Sequence, residues 1–278
     1  MIQYTLSNGV QIPGVGFGCY KLPEENGEQV LLSAIQAGYR HFDTASVYGT
    51  EEVLGRAVRA CGLPREELFL TTKLWKDQMD DPRTAFRQSM EALGCSYADL
   101  YLIHWPRPDL ERADWRELDL SVWRYLEELY SAGEVRAIGV SNFLPHHLLP
   151  LLEHCRVRPM VDQLEYHPGY SQEAAVAFCQ ANGILVEGWS PVGRMRLKDD
   201  PLLVELAAKY GVTVPQLCLR FAVETGVFPL PKSSSPARMA ENLDLFGFQL
   251  SREDLFRLKT MPQTGWGGEH PDRERVRP

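Results

Sequence analysis

The feature that most limits what this chain can fold into is a repeat. Short strand-like apolar runs, each giving way to a loop and usually to an amphipathic helical pattern, recur along the sequence and end near Phe17, Asp43, Lys73, His104, Ser141, Gln163, Ser190 and Leu230. That pattern is the signature of β/α units. Eight of them in 278 residues fit a closed (β/α)8 TIM barrel better than an open sheet. The rival, a doubly wound sheet, needs a glycine-rich turn between its first strand and a helix. The stretch "GVGFG" lacks the required third glycine, and "CYKLPEEN" intervenes before any helix begins.

Local signals agree with this division. Asn8-Gly9 inside "QYTLSNGVQIPG" predicts an N-terminal β-hairpin. Val53, Leu54, Ala57, Val58 and Cys61 form one helical stripe closed by Gly62 and Pro64. Asp81-Pro82 reads as the cap and first residue of a helix that Gly94 stops. An extra C-terminal helix and a tail complete the expected barrel, a single domain over residues 1–278. The long irregular segments, 106–120 and 191–200, follow the fourth and seventh strands and so belong to the C-terminal face, where barrel loops carry function.

Composition narrows the partners. A hydrophobic fraction of 44% suffices for one large core. A net charge of -8, with no Lys/Arg block, argues against nucleic acid or an anionic membrane surface. No signal peptide and no run of about 18 apolar residues is present, so a cytoplasmic protein is expected, and a monomer. The six cysteines are scattered, with no C-x-x-C pair, and read as reduced structural thiols; no metal site is expected.

In a barrel the residues just past each strand converge on one mouth. Asp43 and Tyr48 follow the second strand, Lys73 ends the third and His104 the fourth. Singly, each has an ordinary structural role: a turn cap, a rim ring, a solvated end, a satisfied core histidine. Together on three adjacent strands they point to proton transfer, because a lysine and a histidine closing apolar strands need buried partners. A free tyrosine titrates near pH ~10, and a neighbouring ammonium lowers that value. Lys73 is the candidate cation, Asp43 holds it, and His104 can bond the oxygen that Tyr48 protonates.

The other strand ends offer hydrogen-bonding groups, Ser141, Asn142 and Gln163. Ser235-Pro236 starts a helix whose free N–H groups, with Lys232, Ser233 and Arg238, make an anion site without a glycine loop. The aromatic residues Tyr20, Trp75 and Trp105, with Trp266 of the tail, could wall an apolar small-molecule pocket; a tail as glycine-rich and charged as "TGWGGEHPDRERVRP" equally fits disorder.

Four stretches taken together resemble the aldo-keto reductase family: "GYRHFDTASVYGTE", "MEALGCSYADLYLIHWP", "RAIGVSNF" and "LPKSSSPARMAEN". The resemblance implies a TIM barrel that reduces carbonyls with a nicotinamide cofactor, NADPH, through the tetrad Asp43, Tyr48, Lys73 and His104. It implies that Ser141, Asn142 and Gln163 hold the nicotinamide carboxamide and that Trp189, where the family commonly has tyrosine, stacks on the ring. It further implies a clasp over the pyrophosphate from Ser190, Pro191, Val192 and Gly193. Lys232, Ser233 and Arg238 fall to the 2'-phosphate, with Glu241 and Asn242 near the adenine. Tyr20 stands where the family often has tryptophan. The length and short loops are similar to the prokaryotic branch that includes 2,5-diketogluconate reductases and broad carbonyl reductases. A barrel that binds NADPH as a sensor, and an isomerase or aldolase using Lys73 as a Schiff-base amine, are the alternatives.

Overall fold

The computed structural model describes residues 2–276. Strands β1 (Gln3–Thr5) and β2 (Gln11–Pro13) pair antiparallel across the Asn8-Gly9 turn, where Gly9 takes a φ of 87°. Asn8 Nδ2 donates to the Arg136 carbonyl at 2.9 Å, and Tyr4 packs on Phe228. The hairpin therefore lies across the strand starts, at the end opposite the expected site.

Eight parallel strands follow in chain order: β3 (Phe17–Gly18), β4 (His41–Asp43), β5 (Phe69–Leu74), β6 (Ala98–Ile103), β7 (Val135–Ser141), β8 (Val161–Glu165), β9 (Leu185–Trp189) and β10 (Val227–Leu230). Two hydrogen bonds join the first to the last, Gly16 N to Pro229 O at 3.2 Å and Gly18 N to Pro231 O at 3.0 Å. The chain is a (β/α)8 barrel, and every strand ends within two residues of its expected position.

The surrounding helices are α1 (Gly27–Ala37), α2 (Glu51–Ala60), α3 (Pro82–Leu93), α4 (Trp115–Ala132), α5 (Pro145–His154), α6 (Glu173–Ala181), α7 (Pro201–Tyr210), α8 (Val214–Glu224), α9 (Pro236–Leu243) and α10 (Arg252–Lys259). Asp81 caps α3 by accepting from Thr84 N, and Gly94 ends it in the left-handed conformation. Residues 106–120, expected to be irregular, are helical from Trp115 onward. The buried residues Trp115, Asp119, Val122 and Trp123 fall at helical spacing and lay one stripe of α4 on the barrel, which the polar residues between them obscure. Among the described residues no single helix is long and apolar enough to cross a membrane.

Strand alternation decides which side chains enter the barrel. Thr72 points outward, its hydroxyl bonding Glu51 of α2, so Thr71 and Lys73 point in. The wall is close-packed at Gly139 of β7, where a Cβ would sit 2.5 Å from the Val161 carbonyl and 2.8 Å from Leu102 Cδ2. Gly139→Ala is expected to cost about 1–3 kcal/mol, read as a lower denaturation midpoint.

Candidate active site

Asp43 ends β4 and Lys73 lies near the end of β5, pointing to the same interior. Lys73 is 0% exposed, and its ammonium donates to Asp43 Oδ1 at 2.6 Å and to the Thr44 carbonyl at 2.9 Å. Burial works against the lysine's charge, but the paired Asp43 carboxylate, by its charge and its hydrogen bond, more than offsets it and raises the pKa above the ordinary value.

Tyr48 sits on the 3-10 turn Ser46–Tyr48 just beyond β4. Gly49 ends that turn with a φ of 66°, a conformation a side chain would strain. Ser46 Oγ donates to Gln78 Oε1 at 2.8 Å and lies 3.2 Å from the Lys73 carbonyl, which fixes the turn against β5. The Tyr48 hydroxyl then lies 3.3 Å from His104 Nε2, and its ring centroid 5.0 Å from the Lys73 ammonium. The structure thus brings Asp43, Tyr48, Lys73 and His104 together.

Their titration differs in one respect from the sequence expectation. Lys73 does lower the Tyr48 pKa, but burial outweighs it, and the phenol is pushed up to about 12. It keeps its proton throughout the neutral range. Burial first, and Lys73 second, hold His104 well below the ordinary histidine range, so its imidazole is neutral. His104 Nδ1 is buried without a hydrogen-bond partner.

The three carboxamide candidates are also adjacent, but their donors are committed. Ser141 Oγ donates to the Gln163 carbonyl, and Asn142 Nδ2 to the His104 carbonyl and Ser141 Oγ. Gln163 Nε2 donates to both Asp43 Oδ2 and Glu187 Oε2. What this trio still offers is acceptor oxygens, which suit the NH2 end of a carboxamide. Trp189 Nε1 donates to Asn142 Oδ1 at 2.9 Å, which sets the indole plane at the mouth.

All six non-glycine residues with positive φ among the described residues, Lys21, Asn142, Gln172, Ser190, Arg194 and Met195, lie in loops that follow barrel strands. Such conformations cost about 1–3 kcal/mol each and concentrate where function fixes the backbone. The segment Ser190, Pro191, Val192 and Gly193 carries two of these turns, counting Gly193 at φ 54°. Arg194 beyond it reaches over the rings of Tyr20 and Trp189, at 6.0 and 5.8 Å.

At the start of α9, Lys232 and Arg238 are exposed cations with no carboxylate partner among the described residues. Partial burial and the repulsion of Arg238 lower the Lys232 pKa. Ser235 caps α9 without a side-chain hydrogen bond. Lys232 Nζ donates to Ser234 Oγ at 3.0 Å, and two cations without a carboxylate partner near a helix N-terminus are the kind of donor set an anion such as a phosphate requires. Glu241 is exposed beside them and Asn242 buried.

The substrate side is partly as expected. Tyr20 meets Tyr48 with ring centroids 5.0 Å apart, and Trp75 meets His104 edge-on at 5.2 Å. Trp105 is half-buried and makes no aromatic contact with these rings among the described residues. Trp266 stacks on Tyr170 at 6.2 Å, on the β8 side of the mouth. The tail is packed rather than free: Thr264 N donates to the Gly169 carbonyl and Val276 N to that of Gly268.

Asp272 anchors the tail, and sequence reading missed it. His147 Nδ1 accepts from Leu144 N, which leaves its ring proton on Nε2 to donate to Asp272 Oδ1 at 2.9 Å. His146 and Arg107 approach the same carboxylate at 3.1 and 3.5 Å. His146, His147 and Asp272 lie at metal-ligand spacing. A metal ion there would have to strip the proton from a ring whose other nitrogen already accepts a bond, and the cluster acts instead as a clamp.

A barrel with a lysine-braced tyrosine and histidine at its mouth and an anion seat nearby defines a class of barrel oxidoreductases. The comparisons fix the family. The Aldo/keto reductase family model matches residues 14–261, and the chain belongs to that family. Glyoxal reductase of Bacillus subtilis is 41% identical over 272 residues, covering 96% of this chain and 95% of that protein. Methylglyoxal reductase DkgA of Escherichia coli O157:H7 is 36% identical over 269 residues, with 96% of each covered. A Bombyx mori aldo-keto reductase solved in complex with NADP is 34% identical with a TM-score of 0.86, covering 99% of this chain and 95% of that one.

Proposed function

We propose that the protein reduces an aldehyde or ketone to an alcohol with NADPH, and that Tyr48 supplies the proton. The observation that carries this reading is the Tyr48 hydroxyl held 3.3 Å from His104 Nε2 above a fully buried, ion-paired Lys73. When bound, the nicotinamide supplies a hydride to the carbonyl carbon. Ser141, Asn142 and Gln163 would receive its carboxamide, Trp189 its ring, the 190–193 segment its pyrophosphate, and Lys232, Ser233 and Arg238 its 2'-phosphate.

The chain's own part is proton transfer. In this reading His104 carries its proton on Nε2, the ring nitrogen that has a partner, and donates it to the Tyr48 oxygen 3.3 Å away, which leaves the phenolic hydrogen for the carbonyl oxygen. As that proton leaves, negative charge grows on the phenol beside the Lys73 ammonium, which stabilises it in a site with little water to screen the attraction. Asp43 keeps Lys73 charged and in place. A Schiff-base role would need an uncharged lysine, and the raised pKa of Lys73 counts against it.

The glyoxal and methylglyoxal reductases among the relatives support a small dicarbonyl as substrate. Tyr20, Tyr48, Trp75 and His104 form a compact aromatic wall suited to such a molecule. NADPH consumption with glyoxal, methylglyoxal and larger aldehydes tests this: the dicarbonyls are expected to have the highest kcat/KM, and a uniform response across the panel contradicts it.

The anion seat yields a separate prediction. Lys232→Met is expected to weaken NADPH about 10–100-fold, the worth of a charge-assisted bond of about 1.5–3 kcal/mol, and NADH by less than about threefold. Fluorescence titration of both cofactors measures this, and equal losses would place the 2'-phosphate elsewhere.

A further inference from the structure

Glu187, in the middle of β9, is 0% exposed and takes no part in the chemistry above. It faces the barrel interior and pairs in register with Gln163 of β8. Gln163 Nε2 donates one hydrogen to Glu187 Oε2 at 2.9 Å and the other to Asp43 Oδ2 at 2.8 Å. The remaining Asp43 oxygen accepts from Lys73 at 2.6 Å. One amide therefore spans two carboxyl groups, and one cation serves both. Glu187 Oε1 has no hydrogen-bond partner; His41 Nε2 stands 3.7 Å away.

We propose that Glu187 is a positioning residue acting through Gln163 on the Asp43–Lys73 pair, in the form of a neutral carboxylic acid whose ionisation slows reduction. The inference rests on the carbonyl-reductase reading. Asp43 and Lys73 already cancel, so an ionised Glu187 would add an uncompensated charge in a dry interior, which is strongly unfavourable. The groups facing it are His41 and Asp43 of β4, Lys73 of β5 and the Gln163 amide of β8; β10, on its other side, contributes no titratable group. His41 is itself kept neutral by burial and by Lys73, and its Nε2 lies 3.0 Å from Thr71 Oγ1. Burial, and then Asp43, push the Glu187 pKa up to about 8, against the pull of Gln163 and Lys73. Above that pH a second anion beside Lys73 offsets the ammonium's effect on Tyr48 and makes the phenol a weaker acid.

Two variants test the idea, with NADPH and glyoxal as probes. Glu187→Gln keeps the acceptor for Gln163 but cannot ionise; Glu187→Leu removes the acceptor. The wild type is expected to lose kcat as pH rises through about 8. Glu187→Gln is expected to hold its neutral-pH kcat within about twofold and to lack that decline, while Glu187→Leu loses about tenfold in kcat with little change in KM, as a slightly misplaced donor would. Equal kcat in the two variants at neutral pH, or an unaltered alkaline decline in Glu187→Gln, overturns the proposal. A second readout needs no turnover. Because the folded pKa of Glu187 lies above its unfolded value, its contribution to stability is fully present below the ordinary carboxyl range and is lost as pH rises through about 8. The denaturant midpoint of the wild type should therefore fall relative to Glu187→Gln over that interval, and a pH-independent difference overturns the neutral-acid assignment. A wild type that consumes no NADPH contradicts the functional reading instead, and the denaturation series still reports on Glu187.

Discussion

Tyr48→Phe is expected to lower kcat for carbonyl reduction by about 10³-fold, within the range a positioned general acid contributes. The substitution removes only an oxygen. The ring that faces Tyr20 and Lys73 remains, so the fold and the NADPH affinity, followed through Trp189 fluorescence, should change less than about threefold. A loss confined to kcat separates a proton donor from a residue that merely walls the pocket, whose removal would raise KM. Unaltered turnover would show that another group donates the proton.

The second large effect concerns the charge beneath the tyrosine. Lys73→Met leaves the Asp43 carboxylate, 4% exposed, without its cation in the barrel interior. Removing one partner of such a pair costs about 3–5 kcal/mol, which denaturant unfolding measures. The kcat should fall by at least as much as in Tyr48→Phe, because burial would then act on the phenol unopposed. Asp43→Asn combined with Lys73→Met discriminates the two losses. Removing both charges should restore much of the stability and none of the turnover, since the ammonium that stabilises the developing phenolate is still absent. If turnover returned with stability, Lys73 would be structural only.

Much of this site was legible in the sequence because a parallel barrel turns position along the chain into position in space. Once the eight runs were counted, Asp43, Lys73 and His104 had to gather at one mouth, where Lys73 bonds Asp43 at 2.6 Å and Tyr48 bonds His104 at 3.3 Å. Three features were not legible, each for a physical reason. The pKa of Tyr48 depends on desolvation, which composition does not reveal, and burial reverses the net shift expected from Lys73 alone. Trp266 and Asp272 depend on how the tail lies against α5 and the β8 loop, which no periodicity encodes. Trp105 follows His104 directly, yet its neighbour's inward direction gives it a different one. Glu187 did leave a mark that went unread: an acid inside the apolar run "ILVEGW" demands a buried partner, and Gln163 is that partner.

The central claim is that this barrel reduces carbonyls with NADPH through Tyr48. Purified wild type and Tyr48→Phe, assayed side by side for NADPH consumption and alcohol formation with methylglyoxal, test it most directly. One NADPH consumed per carbonyl reduced in the wild type, with the variant near background, is the predicted result. No consumption in the wild type, or equal consumption in both, would contradict it.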